Sequence, residues 1–126
     1  MAKKQDPKDL LLLALYAEFN KEAGDYRMAT ARLLDMEGCV WRWSLMCLQT
    51  EGLIDGVKWL PPNVSSAEDV PALNTNNLRL TAQGVTRARE ILCEDGRNRK
   101  EALMRILDYF TAAGVATARE YLMRCL

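Results

Sequence analysis

EGLIDGVKWLPP, Glu51 to Pro62, is where a helix-period pattern gives way to a strand-period one. Ahead of it, Trp41, Ser44, Leu45 and Leu48 recur at i, i+3, i+4 and i+7, which predicts a helix from about Cys39 to Glu51 with those side chains inward. Gly52 supplies a left-handed stop. Leu53 and Ile54 then close over the core, and Val57 and Trp59 alternate with Lys58 as a half-buried strand. Pro61-Pro62 ends the strand, because proline has no N–H to give a ladder.

Downstream, the stretch from Pro61 to Asn77 is rich in Pro, Asn and Ser and reads as a long loop. NNLRLTAQG returns as a second strand through Leu78 and Leu80. Thr81 caps a helix that turns Val85, Ala88, Ile91 and Leu92 inward and ends before Gly96. Upstream, Asp6-Pro7 opens a helix that runs to about Glu22, with Leu10, Leu13, Ala14 and Ala17 inward and Leu11, Leu15 and Phe19 widening the face. Gly24 is expected as its left-handed stop. A short second helix, Tyr26 to Met36, is expected to bury Met28, Ala31 and Leu34 behind an Asp25 cap.

The last segment, Arg97 to Leu126, carries a stripe of Leu103, Ile106, Leu107 and Phe110 that continues through Ala118, Tyr121, Leu122 and Cys125. A break at Gly114 is favoured over one long helix, which would project far beyond so small a core. The unbroken form would be a dimerisation arm.

The expected fold is therefore mainly α with a small β-hairpin, an α+β chain. Three helices, a strand, a loop, a strand and a helix form the order of a winged helix-turn-helix over residues 1–95, with the loop as wing. Residues 96–126 add a C-terminal helical extension for packing or homodimerisation.

LMCLQTEGLIDGV followed by LRLTAQGVTRAREIL resembles the winged-helix pattern in which a leucine-bearing third helix ends in EGLI-like residues and a last helix opens with LTxxG. The chain is most similar to the YjcQ family of small bacterial and phage proteins, over about residues 8 to 95. That resemblance implies a winged-helix domain of regulatory or nucleic-acid-associated type, in a bacterial or prophage setting, and it transfers no catalytic residue. The longer loop and the C-terminal extension depart from the family.

Composition narrows the chemistry. The 126 residues include 17 Lys plus Arg and 17 Asp plus Glu, so no global field draws the chain to nucleic acid or membrane. With no histidine, the Ser-His and Cys-His pairs are missing, and neither a P-loop nor GxGxxG occurs. No enzyme, cofactor or metal site is expected. Cys39, Cys47, Cys93 and Cys125 show no CxxC spacing and read as reduced thiols of a cytoplasmic protein. Lysines precede the first apolar run, but Glu18, Lys21 and Glu22 follow it directly, which marks a soluble helix rather than a signal peptide. No apolar stretch approaches the roughly 20 residues of a membrane span.

Two function classes remain. In the first, a DNA-binding transcription regulator, Arg42 and Gln49 on the outward face of the third helix contact base edges. Lys58, Arg79, Arg97, Arg99 and Lys100 then contact phosphate, assisted by Arg87 and Arg89. In the second, a protein-interaction module, Trp43 and Met46 on that face meet a protein partner. Trp43 packed beneath the C-terminal helices is the third possibility. The reading head from Asp25 to Asp55 has three cations, Arg27, Arg32 and Arg42, against five anions, Asp25, Asp35, Glu37, Glu51 and Asp55, which handicaps phosphate binding. The loop from Pro61 to Asn77 has no Lys or Arg but contains Glu68 and Asp69.

Overall fold

The computed structural model describes residues 6–21, 23–59, 73–93 and 98–126. It is mostly helical, with short antiparallel strand pairs, and belongs to the α+β class.

Helix α1, Pro7–Phe19, opens as its sequence dictates: Asp6 accepts the Lys8 N–H at 2.9 Å, and Pro7 occupies the first turn. Every residue from Leu10 to Glu18 is buried. The helix thus has no outer face over that stretch; neighbours enclose it all round. Phe19, expected to widen the face, is exposed. The helix stops there with Asn20 in the right-handed region, so Gly24 is not a left-handed stop. Gly24 serves close approach instead, since a β-carbon on it would stand 1.8 Å from the Glu18 carbonyl oxygen.

The helix expected from Tyr26 to Met36 does not form. A 3-10 turn, Tyr26–Met28, is capped by the Asp25 side chain, and a single α-turn follows, with the Leu34 N–H donating to the Thr30 carbonyl at 3.1 Å. Asp35, at φ 53°, closes that turn. The cause lies at Ala29: its carbonyl is taken by the Trp41 indole at 2.9 Å and its backbone leaves the helical region, so Thr30 has to start a new turn, its Oγ1 accepting the Leu33 N–H at 3.2 Å as a cap. Met28 is consequently exposed, while Ala29 and Leu34 enter the core and Ala31 is half-buried.

Helix α2, Gly38–Thr50, buries Ser44, Leu45 and Leu48 as the stripe predicts, with Trp41 half-buried beside them. It ends in a Schellman motif. At φ 79°, Gly52 donates its N–H to Gln49 at 3.0 Å, and Leu53 donates to Leu48 at 2.9 Å.

The chain then enters a hairpin. β1, Ile54–Asp55, pairs antiparallel with β4, Arg79–Leu80, and β2, Lys58–Trp59, pairs with β3, Leu73–Asn74. Between the two pairings, residues 56–57 face residues 75–78, so the ladder is bulged and Val57 and Leu78, expected in strands, sit in the bulge. Of the loop expected from Pro61 to Asn77, residues 61–72, with Pro61, Pro62, Glu68 and Asp69, lie outside the described residues, while Leu73–Asn74 is strand instead because it pairs with Lys58–Trp59.

Helix α3, Ala82–Leu92, is where the two quoted motifs meet. Thr81 Oγ1 accepts the Gly84 N–H at 3.1 Å, capping α3, and donates to the Gly52 carbonyl at 2.6 Å. One hydroxyl thus joins the end of α2 to the start of α3. The Thr81 N–H also donates to the Leu53 carbonyl at 3.1 Å, and that oxygen would lie 2.0 Å from a β-carbon on residue 84. LTAQG therefore needs Thr at its second position and Gly at its fifth for one joint.

Helices α4, Arg99–Ala113, and α5, Ala116–Cys125, are separate, broken at Gly114 with φ 78°. Asn98 caps α4, and Arg105 donates to the Leu92 carbonyl at 2.9 Å, capping the end of α3. Leu103, Ile106, Phe110, Ala118 and Leu122 join one core cluster with Leu10 to Ala17. The C-terminal stripe is thus consumed inside the chain, against α1.

The C-terminal helix is pinned by a buried polar cluster. Glu18, 4% exposed, accepts the Asp25 N–H at 3.0 Å on Oε1 and the Tyr121 hydroxyl at 2.9 Å on Oε2, which also receives the Lys21 ammonium. Lys21 Nζ also donates to the Tyr121 hydroxyl and lies 3.7 Å from the centroid of its ring. Burial alone would lower the Lys21 pKa; hydrogen bonds with Glu18, Tyr121 and Cys125 outweigh it and hold the value above the ordinary lysine range.

Candidate interaction surface

The outward face of α2 collects the side chains expected there, but gives them different work. Trp43 and Met46, one turn apart, are 48% and 47% exposed. Trp43 is therefore not covered by the C-terminal helices. Lys8 Nζ stands 5.9 Å from the ring centroid and 3.8 Å from Glu51 Oε2. The half-buried Arg42 lies back along the helix, its guanidinium 3.5 Å from where a Gly38 β-carbon would stand.

Gln49 is already engaged. Its Oε1 accepts the Val57 N–H at 2.8 Å and its Nε2 donates to the Val57 carbonyl at 3.2 Å. Val57 lies in the bulge, where the strand ladder offers its backbone no partner, and the amide side chain replaces that partner at both ends. Reading an adenine edge would require breaking both bonds. Gln49→Ala is expected to cost about 1–3 kcal/mol in urea denaturation, because it strands a half-buried N–H and carbonyl. A loss within about 0.5 kcal/mol would mean that the clamp contributes little.

The expected phosphate contacts do not gather around this face. Lys58 is exposed on β2. Arg79 is paired with Asp55 at 2.9 Å across the hairpin, and this bond, with the Gly56 N–H, holds the Asp55 pKa below the ordinary carboxylate value. Lys100 and Arg99 stand on the first turn of α4. That turn adjoins the end of α3, where Arg105 reaches Leu92, and Arg89 of α3 reaches the Tyr16 hydroxyl at 3.1 Å. Tyr16 is about 12 Å along the α1 axis from Lys8, beside Trp43. Arg99 and Lys100 thus sit on α4, an element apart from the α2 face. Arg87 pairs with Glu90 at 3.5 Å, and Arg97 lies outside the described residues.

Near Lys8, burial and the neighbouring Asp6 raise the Asp9 pKa, and burial followed by Asp9 raises that of Tyr109. All four cysteines are free, and the described residues contain no group of three His, Cys, Asp or Glu able to hold a metal ion. No helix among the described residues is long and apolar enough to cross a membrane.

The sequence reading missed the Gln49 clamp and the Glu18 cluster. The second left a trace: Glu18 falls on the same stripe as Ala14 and Ala17, with Lys21 one turn on, which is a carboxylate on an apolar face beside its own counter-charge.

No family model, curated protein or solved structure matches the chain.

Proposed function

We propose that this chain is a winged-helix-type module that binds another protein through the outward face of α2. The observation that carries this reading is the pair Trp43 and Met46, both about half exposed on a helix whose neighbouring amide, Gln49, is committed to the hairpin. Exposed aromatic and methionine side chains together are interface chemistry, and a tryptophan is the commonest kind of anchor. Free thiols and a charged, soluble-type first helix support a cytoplasmic setting. A homodimer built on the C-terminal stripe would have to pull α4 and α5 away from α1, so the stripe supports packing within one chain.

The DNA-binding, transcription-regulatory reading draws support from the resemblance and from Lys58 exposed on the hairpin, while the absent second helix counts against its helix-turn-helix order. Arg42 is its remaining base-contact candidate, since Gln49 is occupied.

One pair of measurements separates the two. A labelled mixed-sequence duplex is titrated by fluorescence anisotropy at low and near-physiological salt, and immobilised wild type, Trp43→Ala and Met46→Ala are compared as baits in lysate. The interaction reading expects no salt-sensitive duplex binding, and a partner retained by wild type but lost from the variants, at a cost of about 2 kcal/mol or more for Trp43. A steep salt slope that becomes shallower by about one contact in Lys58→Ala would move the assignment to DNA. Equal recovery by all three baits would reject the surface.

A further inference from the structure

Beside Trp43, the seam between α1 and α2 opens into a groove of about 430 Å³ that no described side chain fills. Leu10, Leu34, Val40 and Val115 line its apolar part, and the α4–α5 turn at Gly114 closes one side. Its size falls within the range of ligand pockets and suits a few side chains of a peptide. Val40 stands one turn before Trp43 on α2, and Pro7 on its wall precedes Lys8, which approaches the Trp43 ring. The groove and the Trp43 face therefore share one seam.

Charge specifies the occupant. Asp35 and Glu37 stand exposed on the groove wall, and none of the described residues lining the groove is a cation. Among the ion pairs of the described residues, neither carboxylate takes part. Their positions are fixed by the backbone: Asp35 holds the left-handed closure of the Thr30 turn, and Glu37 is the N-cap residue of α2 without a side-chain cap bond. Two exposed carboxylates on a fixed backbone, beside the apolar part of the groove, select an apolar segment flanked by Lys or Arg.

Resting on the interaction reading above, we infer that the partner presents a short peptide segment whose apolar side chains enter the groove beside Trp43 and whose adjacent Lys or Arg meets Asp35 and Glu37.

The test is panning of a random-peptide phage library on the immobilised full chain, followed by anisotropy of the leading peptide. Wild type is expected to enrich peptides with an aromatic or aliphatic anchor next to Lys or Arg. The double variant Asp35→Asn, Glu37→Gln removes the charges while keeping shape, and asparagine tolerates the left-handed conformation at position 35. It is expected to lose the cation enrichment and bind the leading peptide about fivefold more weakly. Enrichment without Lys or Arg, the same cation preference in the double variant, or no enrichment at all overturns the inference. Trp43→Ala panned in parallel keeps the two readings apart. If it binds the leading peptide as wild type does while the double variant does not, the groove stands and the Trp43 anchor falls; if it weakens binding but no cation preference exists, the reverse holds.

Discussion

Glu18→Ala is expected to destabilise the protein by about 3 kcal/mol, because it removes the acceptor of three donors at once: the Asp25 N–H, the Tyr121 hydroxyl and the Lys21 ammonium. Lys21 is left with a side chain only 13% exposed and no counter-charge. Such a loss exceeds that of an ordinary surface ion pair several-fold. The pH dependence follows from the direction of the Lys21 shift. Its pKa is raised in the folded state above the ordinary 10.5, so its contribution is fully present below that value and is lost as the pH climbs through the higher folded value. Urea denaturation of wild type and variant should therefore differ by a constant amount through the neutral range and by less in strongly alkaline solution, where the Asp25 N–H bond to Glu18 still remains. A difference below about 1 kcal/mol at neutral pH would show that the cluster is not what pins α5.

Gly84→Ala is expected to cost roughly 2–4 kcal/mol, against the usual rule that Ala for Gly inside a helix stabilises by about 0.5–1 kcal/mol. The reversal has a single cause. The new methyl would stand 2.0 Å from the Leu53 carbonyl oxygen and 2.8 Å from Leu80 Cδ1. Backbone must move to admit it, and the backbone in question accepts the Thr81 N–H. Gly114→Ala is the matched control: nothing lies within 4 Å of its β-carbon position, so only the positive φ of 78° resists, at about 1 kcal/mol. Equal thermal shifts for the two variants would refute the joint between α2 and α3.

The Schellman stop at Gly52, the cap at Thr81 and the break at Gly114 were legible because each depends on a residue type with few alternatives: an αL glycine or a capping hydroxyl. The second helix was misread because periodicity cannot see the competitors for its backbone. The indole that takes the Ala29 carbonyl comes from Trp41, twelve residues on, and only tertiary structure brings it there. The outward set on α2 was legible in the same partial way. Its period put Trp43 and Met46 at the surface, but Gln49 was read as a free amide because the bulge that engages it arises from a register shift between strand pairings. The α1 helix was read as one-faced because most helices are; eight consecutive buried residues, Leu10 to Ala17, signal enclosure instead.

That enclosure sets a clock on synthesis. Two of the walls around α1, α4 and α5, come from the stretch 98–126, downstream of the others. At about 5–20 residues per second, the ribosome needs on the order of two to six seconds to deliver it. Throughout that interval the leucine-rich first helix waits with one wall bare. A stop codon after α3 would make the exposure permanent, and such a fragment should aggregate rather than fold.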